Sequence, residues 1–417
     1  MYPFVLKNSI LHYFDDHGIL LTNIGNYKLN DVEVYIIENF DGTKSIEEIT
    51  NKIADELNTT DKIKVKNIIM EFICNKPNFI FLNKLPNPVY FKKTGVKHAK
   101  VPIDVTISLT NKCNLKCIHC FKNCSNKNDK FISYDMLIDT LKFLNNKSNN
   151  IQITGGEPML HDNFFDILKY CIYNFKTTIT TSGTLINSKN VHNFKGINNV
   201  QLSLYSYDKK LHDSITTVPG SFNKTVNAIK ELSEIKIPST IATIVTNSNI
   251  NHMEDMINFA YQSGANSIRF GTLTPHGRAT KLNSLILSQE EINNIEIRLD
   301  KLSKKYEKKI HVEVWTRDEN YTNIDPKYKC LECGAGLLSW CISENGIIKP
   351  CEYLDDDVYP MLNITETKVE YLIKNCNFEK LPESLSNFEK ILNQKNTSIK
   401  KMCNPIKNYY LQYCSEQ

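Results

Sequence analysis

The stretch Cys113-Asn114-Leu115-Lys116-Cys117-Ile118-His119-Cys120 follows directly on an apolar, β-branched run, Asp104–Leu109. It therefore reads as a loop leaving a strand. Three thiols this close suit an iron–sulfur cluster, and also a structural zinc site. A four-iron cluster held by three cysteines keeps one iron open to a small molecule. Cys124, four positions beyond Cys120, falls outside the set. A second stretch, Thr154-Gly155-Gly156-Glu157-Pro158, ends the next strand-like run. Its two glycines allow close approach to the backbone, and Glu157 is able to accept a hydrogen bond from an ammonium group.

Outward from these stretches the chain alternates strand and helix. Strands are expected at Asp104–Leu109, Ile151–Thr154, Thr177–Thr181, Val200–Leu204, Thr240–Val245 and Ser267–Phe270, with helical spacing between them at Tyr134–Leu144 and Ser221–Leu232. Such alternation implies a parallel sheet with crossover helices. Six units are too few to close an eight-unit barrel, so the fold class is α/β, a partial (β/α)6 TIM-like barrel over residues 100–285. Its chemistry is expected on loops at the C-terminal ends of the strands.

Residues 1–95 read as a separate small α+β unit. Short strand-like runs (Ile10–Phe14, Ile19–Thr22, Tyr27–Leu29) precede three helical stretches, the second opened by Ser45 with Glu48 three positions on, a capping box. Pro86 and Pro88 suggest a linker. Residues 286–417 begin with a charged helix, Ser288–Lys308, and continue into a Cys-rich segment, Cys330 to Cys351. Asn345-Gly346 is a two-residue hairpin signal. It would pair Glu344 with Ile347 and turn Cys341 away from Cys351, with Cys330 and Cys333 before the hairpin free to join Cys351.

Composition sets outer bounds. The chain has 417 residues, 41% hydrophobic and 23% charged, with net charge +4. That gives no broad basic footprint for nucleic acid. No apolar run of about 18 residues is present to span a membrane, and the N-terminus lacks signal-peptide features. A cytoplasmic protein is expected. There thirteen cysteines point to metal or redox chemistry rather than disulfides.

CxxxCxxC after the first strand of a partial barrel, followed by GGEP after the second, resembles the radical S-adenosylmethionine (SAM) superfamily. The resemblance implies a [4Fe-4S] cluster on Cys113, Cys117 and Cys120. Its open iron chelates SAM, which is cleaved to a 5′-deoxyadenosyl radical. The residue before the third cysteine is usually aromatic in that family, and His119 fits loosely. Gly155, Gly156 and Glu157 match the motif that holds the SAM amino group. Ser182 and Ser203 match positions that contact SAM, Ser203 near the ribose. In the stretch Leu211–Phe222 a family arginine is replaced by Thr216 or Thr217, which leaves Arg269 as the candidate cation for the SAM carboxylate.

Cys333-Gly-Ala-Gly336 followed by Gly346-Ile-Ile-Lys-Pro-Cys351 resembles the start of a SPASM-type extension. It implies one auxiliary iron–sulfur cluster on Cys333, Cys351 and Cys330, in a shortened C-terminal auxiliary-cluster domain. Residues 5–85 resemble a winged-helix, PqqD-like element that binds a leader peptide as an added strand. Together with Gly277-Arg278-Ala279, these features are similar to thioether-forming peptide maturases (sactisynthases). The implied partners are a precursor peptide, bound through its leader, and a reductant such as flavodoxin or ferredoxin. Related carbon–carbon or other thioether crosslinking, a sulfatase-maturase-like activity, and a non-catalytic peptide carrier are the alternatives.

Overall fold

The structure is a computed structural model. It describes residues 1–313 apart from 16, 76, 77, 98, 100, 274, 275 and 286, and residues 336–371 apart from 337, 353, 358 and 359. The chain divides into two compact units, the first holding Met1–Ile103 and the second beginning at Asp104.

The first unit contains strands β1 (Tyr2–Val5), β2 (Ile10–Asp15), β3 (His17–Thr22) and β4 (Gly25–Asn30). Helices α1 (Asp31–Ile37), α2 (Ile46–Glu56) and α3 (Lys62–Asn75) follow, then β5 (Ile80–Asn83) and β6 (Lys92–Lys97). β2, β3 and β4 form an antiparallel meander, β6 adds to β2 in parallel, and β1 pairs with β5. The Ser45–Glu48 capping box is present at the start of α2. Ile49 and Ile53, one turn apart, share α2's buried face with Ile46 and Ala54. They pack into a core with Leu11, Leu20, Leu29, Ile37, Ile69 and Phe79. β6 was not expected. Its sequence, Lys-Lys-Thr-Gly-Val-Lys, has no apolar alternation because it is an edge strand, where lysines discourage further pairing.

The second unit runs β7 (Asp104–Ser108), α4 (Tyr134–Leu144), β8 (Asn150–Thr154), α5 (Phe164–Asn174), β9 (Lys176–Thr181), β10 (Asn199–Ser203), α6 (Lys209–Thr216), α7 (Ser221–Glu234) and β11 (Ser239–Val245). It continues with α8 (Met253–Gln262), β12 (Ser267–Thr272), α9 (Gln289–Tyr306), β13 (His311–Glu313), β14 (Ser339–Ile342), β15 (Ile347–Lys349) and β16 (Leu362–Asn363). The six expected strands are all present. The sheet order is β13-β12-β11-β10-β9-β8-β7-β14-β15-β16, and every pair from β13 to β14 is parallel. Among the described residues the sheet is open, ending in β13 and β16.

The strands alternate between two environments. Val105, Ile107, Ile151, Ile153, Ile179, Val200 and Leu202 are fully buried. Helices such as α7 cover this face with Thr225, Ala228, Ile229 and Leu232, one stripe at helical spacing. Each buried aliphatic side chain contributes roughly 1.5–3 kcal/mol. The alternate residues are polar and half-buried, and they link across the sheet. Gln152 Nε2 donates to Thr180 Oγ1 (2.9 Å), Gln201 Nε2 donates to the same oxygen (3.3 Å), and Arg269 Nη1 donates to Gln201 Oε1 (3.5 Å). One face of the sheet thus builds the core, and the other presents polar groups.

The C-terminal hairpin belongs to this same sheet. Cys341 pairs with Lys349 and Ile342 with Ile348. Ser343 N donates to Ile347 O (2.9 Å) and Gly346 N to Ser343 O (2.9 Å), with Gly346 at φ +77°. The loop therefore has three residues, 344–346, with glycine in the left-handed position, rather than the expected two. A one-residue slip reverses the facing of every side chain. Cys341 shares a face with Lys349, and Cys351, two residues on, returns toward that face. The expectation that Cys341 points away from Cys351 is corrected accordingly. Among the described residues no helix is long and apolar enough to cross a membrane.

Candidate active site

The loop after β7 is fixed from three sides. Gly156 N donates to Thr110 O (2.6 Å) and Glu157 N to Lys112 O (2.8 Å), so the turn after β8 lies directly against the start of the cysteine loop. A Cβ on Gly155 would sit 2.5 Å from Thr110 O, and one on Gly156 would sit 2.2 Å from Lys112 O. The glycines are required by this backbone-to-backbone approach. From the second side, Lys116 N donates to Thr216 O (3.1 Å), Ile118 N to Ile215 O (2.9 Å) and Thr217 Oγ1 to Lys116 O (3.1 Å). Thr216 and Thr217 thus brace the loop. From the third side comes the segment after β12. Arg278 Nε donates to Cys117 O (2.7 Å) and His276 Nδ1 donates to Phe121 O (2.8 Å).

Within the loop, Cys113, Cys117, Cys120 and Cys124 border one cavity of about 310 Å³, a size suited to a small-molecule ligand. Burial pushes the Cys113 and Cys117 thiols up to about 12. Cys120 is the exception. A hydrogen bond from the Cys124 thiol, joined by Cys124 N at 3.3 Å, outweighs burial and holds it at about 6. Cys124, as the donor, is raised. Tyr205, half-buried, stacks on His212 (centroids 5.7 Å), and His119 meets its edge (4.4 Å). Among the described residues no three Cys, His, Asp or Glu side chains converge closely enough for a single metal ion. The thiols are instead set around the cavity wall.

Gly155, Gly156, Ser182, Ser203 and Arg269 line that same cavity. Glu157 does not. Its carboxylate is buried behind the wall, where it accepts from Thr181 Oγ1 (2.7 Å), Ser182 N (2.9 Å) and Ser182 Oγ (2.6 Å). Burial raises its pKa despite these bonds. Direct contact with an ammonium group, the expected role, would require these bonds to be given up. In this structure Glu157 ties the end of β8 to the end of β9. Arg269 stands at the rim, ion-paired with Glu313. Lys122 is the cation sequence reading missed. It lies two residues after Cys120 with its side chain 11% exposed. Its Nζ is 3.6 Å from Glu344 and 3.7 Å from Glu352, and it donates to Ser108 Oγ. Ser108 Oγ donates in turn to Glu352 Oε1 (3.1 Å). This network joins the cysteine loop to the hairpin. Lys122 and His276 carry no local sequence signal, and the Gly277-Arg278-Ala279 motif does not show what Arg278 holds, because each acts across a long separation in the chain.

Cys351 follows β15, and Cys341 lies near it. Burial first, then the charges of Glu352 and Cys351, push the Cys341 thiol well up. Cys330 and Cys333 lie outside the described residues.

The donor chemistry fits a cluster with an open iron: three thiols of one loop on a cavity wall, with backbone from a tight glycine turn beside them. The comparisons agree. Residues 107–260 match the family model described as the radical SAM superfamily. The sporulation killing factor maturation protein SkfB of Bacillus subtilis (strain 168) is 27% identical over 63% of this chain, a match spanning 63% of that protein's own length. The antilisterial bacteriocin subtilosin biosynthesis protein AlbA of the same organism is 25% identical over 84% of this chain and 80% of its own. Among solved structures, Streptococcus suis SuiB bound to S-adenosylmethionine superposes with a TM-score of 0.63 at 16% identity, covering 91% of this chain and 90% of that one. The chain thus carries a radical SAM domain over residues 107–260, with the cysteine loop and the GGEP turn inside it, and is a radical SAM enzyme.

Proposed function

We propose that this enzyme matures a ribosomally made peptide, joining a cysteine sulfur to the α-carbon of another residue in that peptide. The observation that carries the reading is the placement of Cys113, Cys117 and Cys120 in one cavity with Gly155, Gly156, Ser182 and Ser203. That cavity stands at the strand ends of a sheet with a polar inner face. The likeness to SkfB and AlbA supports a peptide substrate. So does the likeness of fold to SuiB, which has been solved bound to its precursor peptide SuiA.

When bound, a [4Fe-4S] cluster and SAM supply a 5′-deoxyadenosyl radical that removes a hydrogen atom. The chain's residues bind and orient. Cys113, Cys117 and Cys120 are the cluster ligands. The backbone of Gly155 and Gly156 and the hydroxyls of Ser182 and Ser203 hold SAM, with Glu157 keeping Ser182 in place. Arg269 is the candidate cation for the SAM carboxylate. The chain from Gln152 through Thr180 and Gln201 to Arg269 offers polar partners to an extended peptide backbone. Cys333 and Cys351, with Cys330, hold one auxiliary cluster, and flavodoxin or ferredoxin supplies electrons. The first unit, with its three helices and β-meander, is the leader-binding element, taking the leader as an added strand. Carbon–carbon crosslinking is the alternative chemistry of the same site.

The test is anaerobic reaction with SAM, reductant and a Cys-containing precursor peptide, followed by mass spectrometry after thiol alkylation. The reading predicts loss of two hydrogens per crosslink and loss of one alkylatable cysteine. Crosslinked product with every cysteine still alkylatable would select carbon–carbon chemistry. An unmodified peptide alongside active SAM cleavage would contradict the peptide assignment.

A further inference from the structure

The segment that follows β12 grips the cysteine loop by its backbone. Arg278 N donates to Cys120 O (3.0 Å), Nε to Cys117 O (2.7 Å), Nη2 to Cys124 O (2.9 Å) and Nη1 to Asn123 Oδ1 (3.0 Å). His276 Nδ1 reaches Phe121 O at 2.8 Å. Between them Gly277 has φ +57°, and a Cβ there would lie 2.2 Å from Phe121 O and 2.6 Å from Cys120 O. One three-residue segment thus takes the carbonyls of Cys117, Cys120, Phe121 and Cys124.

We propose that His276-Gly277-Arg278 is a clip that holds the cysteine loop in the shape that receives iron, with Arg278 as a positioning residue acting through the loop's carbonyl oxygens. The inference rests on reading Cys113, Cys117 and Cys120 as cluster ligands. Two physical arguments support it. A tight turn that brings several carbonyls together concentrates negative dipole ends. A planar guanidinium with several N–H donors satisfies them in one fixed geometry, which a flexible ammonium does not. The guanidinium also sets a fixed positive charge against the loop, at Cys117 O and Cys124 O. The clip keeps the loop preformed before iron arrives, and its positive charge would favour the more negative, reduced state of a cluster held there.

A matched control exists in the same unit. Arg298, on α9, also donates to two backbone carbonyls, Ile250 O (3.0 Å) and Asn251 O (3.1 Å), away from the cysteine loop. The experiment compares full-length wild type with Arg278→Lys, Arg278→Met, His276→Ala and Arg298→Met, each checked for fold by circular dichroism. The first readout is amide hydrogen exchange of residues 113–124 in the iron-free protein. The second is the rate of iron loss to a chelator after reconstitution. The third is the midpoint potential of the reduced cluster.

Both Arg278 variants are expected to exchange residues 113–124 and to lose iron about tenfold faster than wild type, the scale set by charge-assisted hydrogen bonds. His276→Ala is expected to do so by a smaller factor, and it carries the test should an Arg278 variant fail to fold. Arg278→Met also moves the potential to a more negative value, and Arg278→Lys, which keeps the charge, restores most of it. Arg298→Met matches wild type throughout. Wild-type rates of exchange and iron loss in Arg278→Met would overturn the clip. A wild type that binds no iron, yet shows the exchange difference, would overturn the cluster reading while leaving the clip standing.

Discussion

The Glu157 carboxylate is 2.6 Å from the Ser182 hydroxyl and 2.9 Å from the Ser182 amide, a link between the second and third strands of the parallel sheet. It fixes the cavity wall from behind. Glu157→Ala leaves these two donors and Thr181 Oγ1 without an acceptor. It is expected to lower stability by about 2–4 kcal/mol and to weaken SAM binding. Chemical denaturation and a SAM titration check this. Weakened SAM binding with unchanged stability would instead indicate that Glu157 touches SAM directly.

Two glycines separate crowding from backbone strain. At Gly156 an added methyl would meet Lys112 O at 2.2 Å, and neither backbone can retreat without moving the cysteine loop. Gly156→Ala is expected to cost about 3 kcal/mol and to reduce iron content. Gly220 has φ +85° with open space around its Cβ position. Gly220→Ala is expected to cost about 1–2 kcal/mol from backbone strain alone, with iron content unchanged. Thermal melts beside iron assays distinguish the two.

Lys122 is the counter-charge for Glu344 and Glu352, all three largely buried. Burial opposes its charge, but Glu352 and Glu344 outweigh burial and raise its pKa, so it is cationic at neutral pH. Removing one partner of a buried pair leaves uncompensated charge. Lys122→Met is therefore expected to cost about 3–5 kcal/mol. Lys122→Met combined with Glu352→Gln is expected to recover part of that loss. A double-mutant cycle by denaturation measures the coupling.

The first unit should weaken in acid through His12. This ring is fully buried, with Nε2 donating to Val101 O (2.7 Å) and Nδ1 facing Thr94 Oγ1 (2.9 Å). Burial, with a lesser contribution from His17, lowers its pKa from 6.5 to about 4, against the Val101 bond. The unfolded chain therefore binds a proton below about pH 6.5, while the folded unit resists until about pH 4. Stability present at neutral pH is lost between those values, by roughly 3 kcal/mol. His12→Asn is expected to flatten that dependence. Hydrogen exchange of β2 amides across the pH range reads it out.

The six expected parallel strands and the cysteine loop were legible because both signals are local: β-branched runs with clear ends, and thiols a few residues apart. What escaped depends on partners distant in the chain. β13 is three residues, His-Val-Glu, and becomes a strand by pairing with β12. The hairpin register turned on whether Gly346 closes a two- or a three-residue loop, and a dipeptide signal does not decide that. Glu157 was visible, but its acceptor role toward Ser182 needs the third strand beside the second. Arg278 stood in a sequence motif, but its grip on the cysteine loop, like that of His276, appears only once the fold sets the two segments together.

The central claim is tested most directly by counting iron and sulfide in the anaerobically reconstituted protein and measuring 5′-deoxyadenosine from SAM. Wild type is compared with Cys113/Cys117/Cys120→Ala and Cys333/Cys351→Ala. The account predicts about eight irons in wild type, or about six if the auxiliary cluster has two. The barrel variant should lose about four of them together with all SAM cleavage, and the auxiliary variant should keep some cleavage. Zinc in place of iron, or SAM cleavage that survives loss of Cys113, Cys117 and Cys120, would contradict it.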